Sequence, residues 1–196
     1  MTEIIYNILF NLTDFINNNY YYSFLLYFII SICFFTLSLP GGIIILISSG
    51  FFFGFLEGFI INILSISLGS LIFIIFSKTI LSKLFEKYYN KYSDKLTDFI
   101  KNSSYEYLIL LRLIIGPPLI FQNICISLLN ISKTKILISS VIGFTPIMLL
   151  FSYFGSYASN LIELKAFTFS SIFTPEILIT IGLFIFLIFL RIYFKK

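Results

Sequence analysis

The sequence predicts an all-α integral membrane protein, a helical bundle with two re-entrant segments in an inverted repeat. Three observations predict it. Of 196 residues, 59% are hydrophobic and 11% charged, whereas a water-soluble domain carries about 25% charged residues. Lipid is therefore the solvent for most of the surface. The apolar runs are broken by Leu39-Pro40-Gly41-Gly42 and by Gly116-Pro117-Pro118, residues that end or kink helices. Finally, the basic residues gather on one side of a membrane only if the two broken segments enter and leave on the same face.

Taken in order, residues 1–19 form an N-terminal interfacial segment. Ile4, Ile5, Ile8, Leu9, Leu12 and Phe15 recur at helical spacing, the pattern of a helix lying on the membrane. Residues 1–21 hold Glu3 and Asp14 but no Lys or Arg, so the positive start of a cleavable signal is missing. Residues 20–56 carry no charge. As one helix they would extend about 55 Å, against a hydrocarbon core of roughly 30 Å. The break at Pro40 divides them into a first span, 20–37, and a re-entrant segment, 38–56.

Residues 58–77 make a second span of the right length. In the polar stretch that follows, Lys83, Lys87, Lys91 and Lys95 recur every four residues, which suits an amphipathic helix at an anionic leaflet. Residues 107–131 are the second re-entrant segment, and 136–156 another span. The membrane domain thus covers 20–157, followed by a linker, 158–175, and a C-terminal transmembrane helix, 176–196. Thr174-Pro175-Glu176 starts that helix with an N-cap and a proline at its first position.

Charge chooses between topologies. If all six apolar runs cross, either the six Lys of 78–101 or the group Lys133, Lys135, Arg191, Lys195 and Lys196 lies outside. With 38–56 and 107–131 re-entrant, eleven of the thirteen basic residues fall inside, with both termini cytoplasmic. Only Lys165 is then outside, and Arg112 sits in the membrane. The halves echo each other: Gly69 follows Pro40 by 29 residues, and Gly143 follows Pro117 by 26. Broken helices in inverted repeats, meeting near the midplane, are a transporter pattern.

Such tips line a polar cavity, because irregular backbone at membrane depth needs protein or water around it. Arg112 is the sharpest candidate within it. A buried Arg in an apolar run is costly, and its planar fork suits a phosphate or carboxylate. Glu57 is a candidate proton or ion acceptor, or a partner for Arg112. Asn62, Gln122 and Asn123 could each hydrogen-bond a polar ligand or satisfy broken backbone, the structural role being favoured for all three. Pro40, Gly41, Pro117 and Pro118 form the tips. Ser48-Ser49-Gly50, Gly54, Gly58, Gly69-Ser70 and Gly143 read as close-packing sites. The absence of His from the chain removes the commonest general base and metal ligand. Cys33 and Cys125 lack metal-site spacing. The chain is therefore not expected to be an enzyme or to hold a metal or cofactor, and its basic residues, flanking apolar spans, point to membrane orientation rather than nucleic acid.

Leu39-Pro40-Gly41-Gly42, Ser49-Gly50, Phe53-Gly54, Gly58 and Gly69, followed by Arg112-Leu113, Pro118, Asn123, Gly143, Pro146 and Gly155, resemble in order the motifs of the DedA/VTT-domain family, also called SNARE-associated Golgi proteins. The similarity covers roughly residues 30–157. Ile115 stands where the family usually has Pro, and Ser127 where it has Gly. Leu37-Ser38-Leu39 replaces the acidic residue common before the first Pro-Gly, which argues against proton coupling there and favours the Golgi-protein-like bacterial branch. The resemblance implies facing re-entrant loops and a role in lipid translocation or membrane homeostasis.

The leading expectation is a membrane protein that translocates or scrambles a phospholipid or polyprenyl phosphate, with membrane lipids as partners, in a cell inner membrane. One alternative is a proton- or ion-coupled small-solute transporter relying on Glu57. Another is a non-transporting scaffold acting through the Lys-rich helix.

Overall fold

A computed structural model describes residues 2–84, 105–113, 118–127, 129 and 131–163. The described residues are all helical, in six elements: α1 (Thr2–Asn18), α2 (Tyr20–Thr36), α3 (Gly42–Leu84), α4 (Glu106–Leu113), α5 (Leu119–Ser127) and α6 (Lys133–Glu163). The chain divides into two units, Met1–Ser156 and Tyr157–Lys196. The second is described only as far as Glu163, as the last turns of α6. The expected Lys-rich helix after Leu84 and the last span, 176–194, lie outside the described residues.

Two helices are long and apolar enough to cross a membrane, Gly42–Ile80 and Lys133–Asn160, or three if a bent α1–α2 pair counts as one span. The first, 39 residues long, would measure about 58 Å if straight. It is not straight: Gly54 sits at φ 80, ψ 177 inside it, a region of backbone essentially reserved for glycine. There the chain folds back on itself. The amide of Asn62 donates to the Leu46 carbonyl at 2.8 Å, and the Ser49 hydroxyl to the Gly58 carbonyl at 3.3 Å. A Cβ on Gly58 would lie 2.7 Å from the Gly50 Cα, so the two legs touch backbone to backbone. Both pairings, 50 with 58 and 46 with 62, are centred on residue 54.

The helix α2 packs alongside both legs. The Tyr27 hydroxyl donates to the Ile45 carbonyl at 2.6 Å, and its oxygen lies 2.8 Å from the Ser48 hydroxyl. The Phe53 ring meets those of Tyr20, Phe24 and Tyr27 edge-on, which fixes the start of α2 at the Gly54 end. At its other end α2 stops in a tight turn. Leu39 N–H bonds the Phe34 carbonyl and Ser38 N–H the Phe35 carbonyl, the two bonds of a Schellman cap. Ser38 occupies the left-handed position at φ 50, where glycine is usual. Gly41, at φ 92, completes the reversal into α3.

That turn lies level with Gly69, whose added Cβ would sit 2.7 Å from the Phe35 Cβ and 2.9 Å from the Thr36 nitrogen. Gly69 is about 22 Å along the second leg from Gly54, and the leg continues about as far again to Leu84. Residues 20–37 make a candidate span only as part of the bent α1–α2 pair. With residues 42–53 they form a hairpin that opens at the Gly54 end and turns halfway along the second leg. The second span, expected to begin at Gly58, starts at the Gly54 reversal instead.

Helices α4 and α5 pair as another hairpin: Arg112 bonds Asn123, and Leu108 and Ile126 share an apolar cluster. Asn123 on α5 reaches Ser38 in the first turn, Nδ2 to Oγ 3.5 Å, and Ser127 reaches Ser77 at 3.4 Å. The second hairpin thus opens toward the Lys78 end, opposite to the first, and its α5 helix meets the first turn. The helix α6 runs back along the second leg: Ile136 joins Ile74, Leu108 and Ile126 in one apolar cluster, and Phe144 and Met148 join Phe35, Leu46, Ile63 and Ile66 in another. Farther on, the Ser152 hydroxyl accepts from Asn62 at 2.9 Å. Glycines bring these backbones together: a Cβ on Gly50 would overlap the Ser152 carbonyl, and one on Gly155 the Ile47 carbonyl.

Candidate functional site where the two turns meet

Arg112, on the last turn of α4, is 2% exposed. Gly143 makes its placement possible, since a Cβ there would overlap the Arg112 Cβ and lie 3.0 Å from the Ile109 carbonyl. With no side chain between them, α4 and α6 close up, and the guanidinium lies over the Phe144 ring, 4.9 Å from its centroid. This is a cation–π distance. Nη1 donates to Asn123 Oδ1 at 2.8 Å and, more weakly, to Gln122 Oε1 at 3.4 Å. Asn123 is fully buried. Its amide nitrogen extends to Ser38, so one side chain ties the arginine to the turn of the opposite hairpin.

The remaining guanidinium nitrogens, Nε and Nη2, are buried and without a hydrogen-bond partner. Their N–H bonds project in parallel from one edge of the plane, the arrangement that grips a carboxylate or phosphate with two hydrogen bonds. A buried donor left unpaired costs about 1–3 kcal/mol. The site therefore holds a cation that bonds the neutral side chains of Asn123 and Gln122, and its two-pronged edge is unused.

Of the sequence-predicted residues, Arg112, Asn123 and Gln122 come together. Pro40, Gly41 and Pro118 are exposed at the turns, Pro118 accepting the first backbone bonds of α5. Pro117 lies outside the described residues. Glu57 does not join them. It is exposed, three residues beyond Gly54, about 18 Å along the helix from the level of Gly69. As a partner for Arg112 it is corrected: the turn that brings Gly69 to Ser38 leaves Glu57 at the far end of the first hairpin. Asn62 serves backbone instead, holding the Leu46 carbonyl. Two members were not anticipated, Ser38 and Phe144. The signals were present in Ser38-Leu39-Pro40 before the turn and in the aromatic beside Gly143, but neither residue is chemically distinctive.

No group of three or more His, Cys, Asp or Glu that could hold a metal exists among the described residues. Cys33 and Cys125 are free and exposed.

Comparison with curated proteins and with solved structures gave no match. The family model of the VTT domain matches residues 39–157, well over half of the chain. The matched segment begins at the first turn and ends just beyond Gly155, so it takes in α3, the second hairpin and Arg112 but leaves α2 outside. The chain belongs to the VTT-domain family, the DedA/SNARE-associated Golgi protein family of membrane proteins.

Proposed function

We propose that the protein moves the phosphate-bearing head group of a membrane lipid, a phospholipid or a polyprenyl phosphate, between leaflets, with Arg112 as its binding residue. The observation that carries this reading is the free Nε/Nη2 edge of a buried arginine. In hydrocarbon such a cation is expensive, and a bidentate phosphate oxygen pair would satisfy both donors and the charge together.

Membrane placement supports the reading. Glu57 and Lys78 bound an uncharged stretch, 58–77, about 30 Å long as a helix, which equals the hydrocarbon thickness. Its midpoint is near Gly69, which puts the two turns at mid-depth as the tips of re-entrant hairpins entering from opposite faces. Lys78, Lys133 and Lys135 share one end, which the positive-inside rule makes the cytoplasmic face of a cell inner membrane. Because α2 starts at the other end, α1 and the N-terminus belong outside, the reverse of the side expected from charge alone. Asn123 and Ser38 would hold the arginine edge open toward cargo.

The test is lipid exchange in liposomes containing the purified protein and a fluorescent-head-group lipid. Wild type should exchange lipid faster than empty vesicles, and Arg112→Met should slow exchange at least tenfold, since each charge-assisted bond lost is worth about 1.5–3 kcal/mol. No exchange above empty liposomes with zwitterionic or anionic lipid, or equal rates for the two proteins, would overturn it.

A further inference from the structure

The helix α2 is inside out. Its exposed residues are Tyr21, Tyr22, Leu25, Leu26, Ile29, Ile30 and Cys33, a surface suited to lipid. Facing inward at a spacing of four are Ser23, half-buried Tyr27, Ser31 and Phe35, hence one face of the helix. Tyr27 finds partners on the first leg of α3. Ser23 and Ser31 find none, although Ser31 is 0% exposed and Ser23 9%.

The second leg answers with the same chemistry. It runs parallel to α2, and Phe35 packs on Gly69. One turn earlier on each helix are Ser31 and Ser65, which therefore share a level. The Ser65 hydroxyl is also fully buried and unpaired, as is Asn62 Oδ1. The seam between α2 and the second leg thus carries unsatisfied polar atoms from Ser23, near the Glu57 end, down to the turn at Ser38. There Asn123 links it to Nη1 of Arg112, whose Nε and Nη2 stay unpaired. Native interiors leave few polar atoms unpaired, and these four belong to facing sides of one seam.

We infer that this seam is a gate: α2 swings away from the second leg and water enters along the hydroxyl face, connecting the Glu57 end with Arg112. In the closed state the Ser31 and Ser65 hydroxyls are shut off from bulk solvent and unpaired, a cost that opening would relieve. The apolar outer face of α2 faces lipid in both states, while the Phe24, Phe28 and Phe35 side chains on its inner side, packed in the core, move with it. Gly41, with no atom within 4 Å of an added Cβ, gives the turn space to flex. This inference rests on the membrane placement proposed above but not on what is carried, and it supplies the arginine with a route for polar cargo.

The test reads water rather than lipid. In a Cys33→Ala, Cys125→Ala background reconstituted in nanodiscs, Ser31→Cys and Ser65→Cys are exposed to a charged methanethiosulfonate, which reacts with the thiolate that forms only in water. Ile29→Cys, on the lipid-facing side of α2 at nearly the same depth, is the control. Modification of Ser31→Cys or Ser65→Cys more than tenfold faster than Ile29→Cys is the expected result. Rates at both positions as slow as the control, in proteins that remain monodisperse, would overturn the gate. Should one variant fail to fold, the other decides. A positive result beside absent lipid exchange would leave the gate standing and remove only the lipid as cargo.

Discussion

Arg112→Met separates a binding arginine from a structural one. The substitution keeps an unbranched side chain of adaptable shape and removes the charge. Two unpaired donors, Nε and Nη2, vanish with it, relieving about 2–6 kcal/mol in total at 1–3 each. Against that, Asn123 Oδ1 loses its bond from Nη1, costing about 1–3 kcal/mol, and the contact with Phe144 loses about 1–2. The two sides nearly cancel, so the variant should lie within about 1 kcal/mol of wild type. For a chain of this size that is a shift in Tm of no more than roughly 2–4 °C. An arginine held as one half of a structural buried pair would cost about 3–5 kcal/mol to remove, a fall of at least ~6 °C. Thermal unfolding of the purified protein in detergent, run beside the exchange assay, distinguishes the two. A Tm fall of that larger size, or unchanged lipid exchange, would refute the reasoning.

Other substitutions probe the scaffold. Gly155→Ala would drive a Cβ into the Ile47 carbonyl, an overpacking cost of about 1–3 kcal/mol visible as a lower Tm, whereas Gly41→Ala meets no atom and should cost only the roughly 1–2 kcal/mol of its left-handed backbone. Asn62→Leu removes the donor to Leu46 and Ser152 and should destabilise by about 1–3 kcal/mol, read in the same melt. Ser38→Gly relieves a left-handed serine, worth about 1 kcal/mol, while cutting the link to Asn123; Tm should hold or rise as lipid exchange falls.

What could be read beforehand followed from residues that impose themselves locally. Pro40-Gly41 had to break a charge-free run too long for one crossing, and Arg112 stood out because an isolated cation in apolar sequence is expensive. The Gly54 reversal did not announce itself. Gly50, Gly54 and Gly58 are equivalent in composition and lie in uniformly apolar sequence, so no change of hydrophobic phase marks which one turns; only the positive φ of Gly54 separates them. That one turn decides which way α2 runs beside the second leg. The inside-out face of α2 was hidden for a related reason. Ser23 and Ser31, eight residues apart among Phe, Leu and Ile, resemble ordinary small packing residues until burial shows which way they point. Ser38 and Phe144 join Arg112 only through contacts between distant parts of the chain.

The hydrogen bonds of the first hairpin span short stretches of sequence, 9 and 16 residues for the Gly54 reversal and 21 for Tyr27 to Ser48. Those that fasten it to the second half span 90 and 85. During translation at about 5–20 residues per second, Ser152 is made roughly 5–18 s after Asn62. For that interval the nascent first half stands in the membrane as a self-paired hairpin and helix. Leu46 already occupies one hydrogen of the Asn62 amide, and the grooves at Gly50 and Gly69 are cut to shape. The second half arrives as a latch, and only its closure brings Asn123 to Ser38 and completes the binding site. The arginine is thus assembled last, on a frame that the ribosome has already left behind.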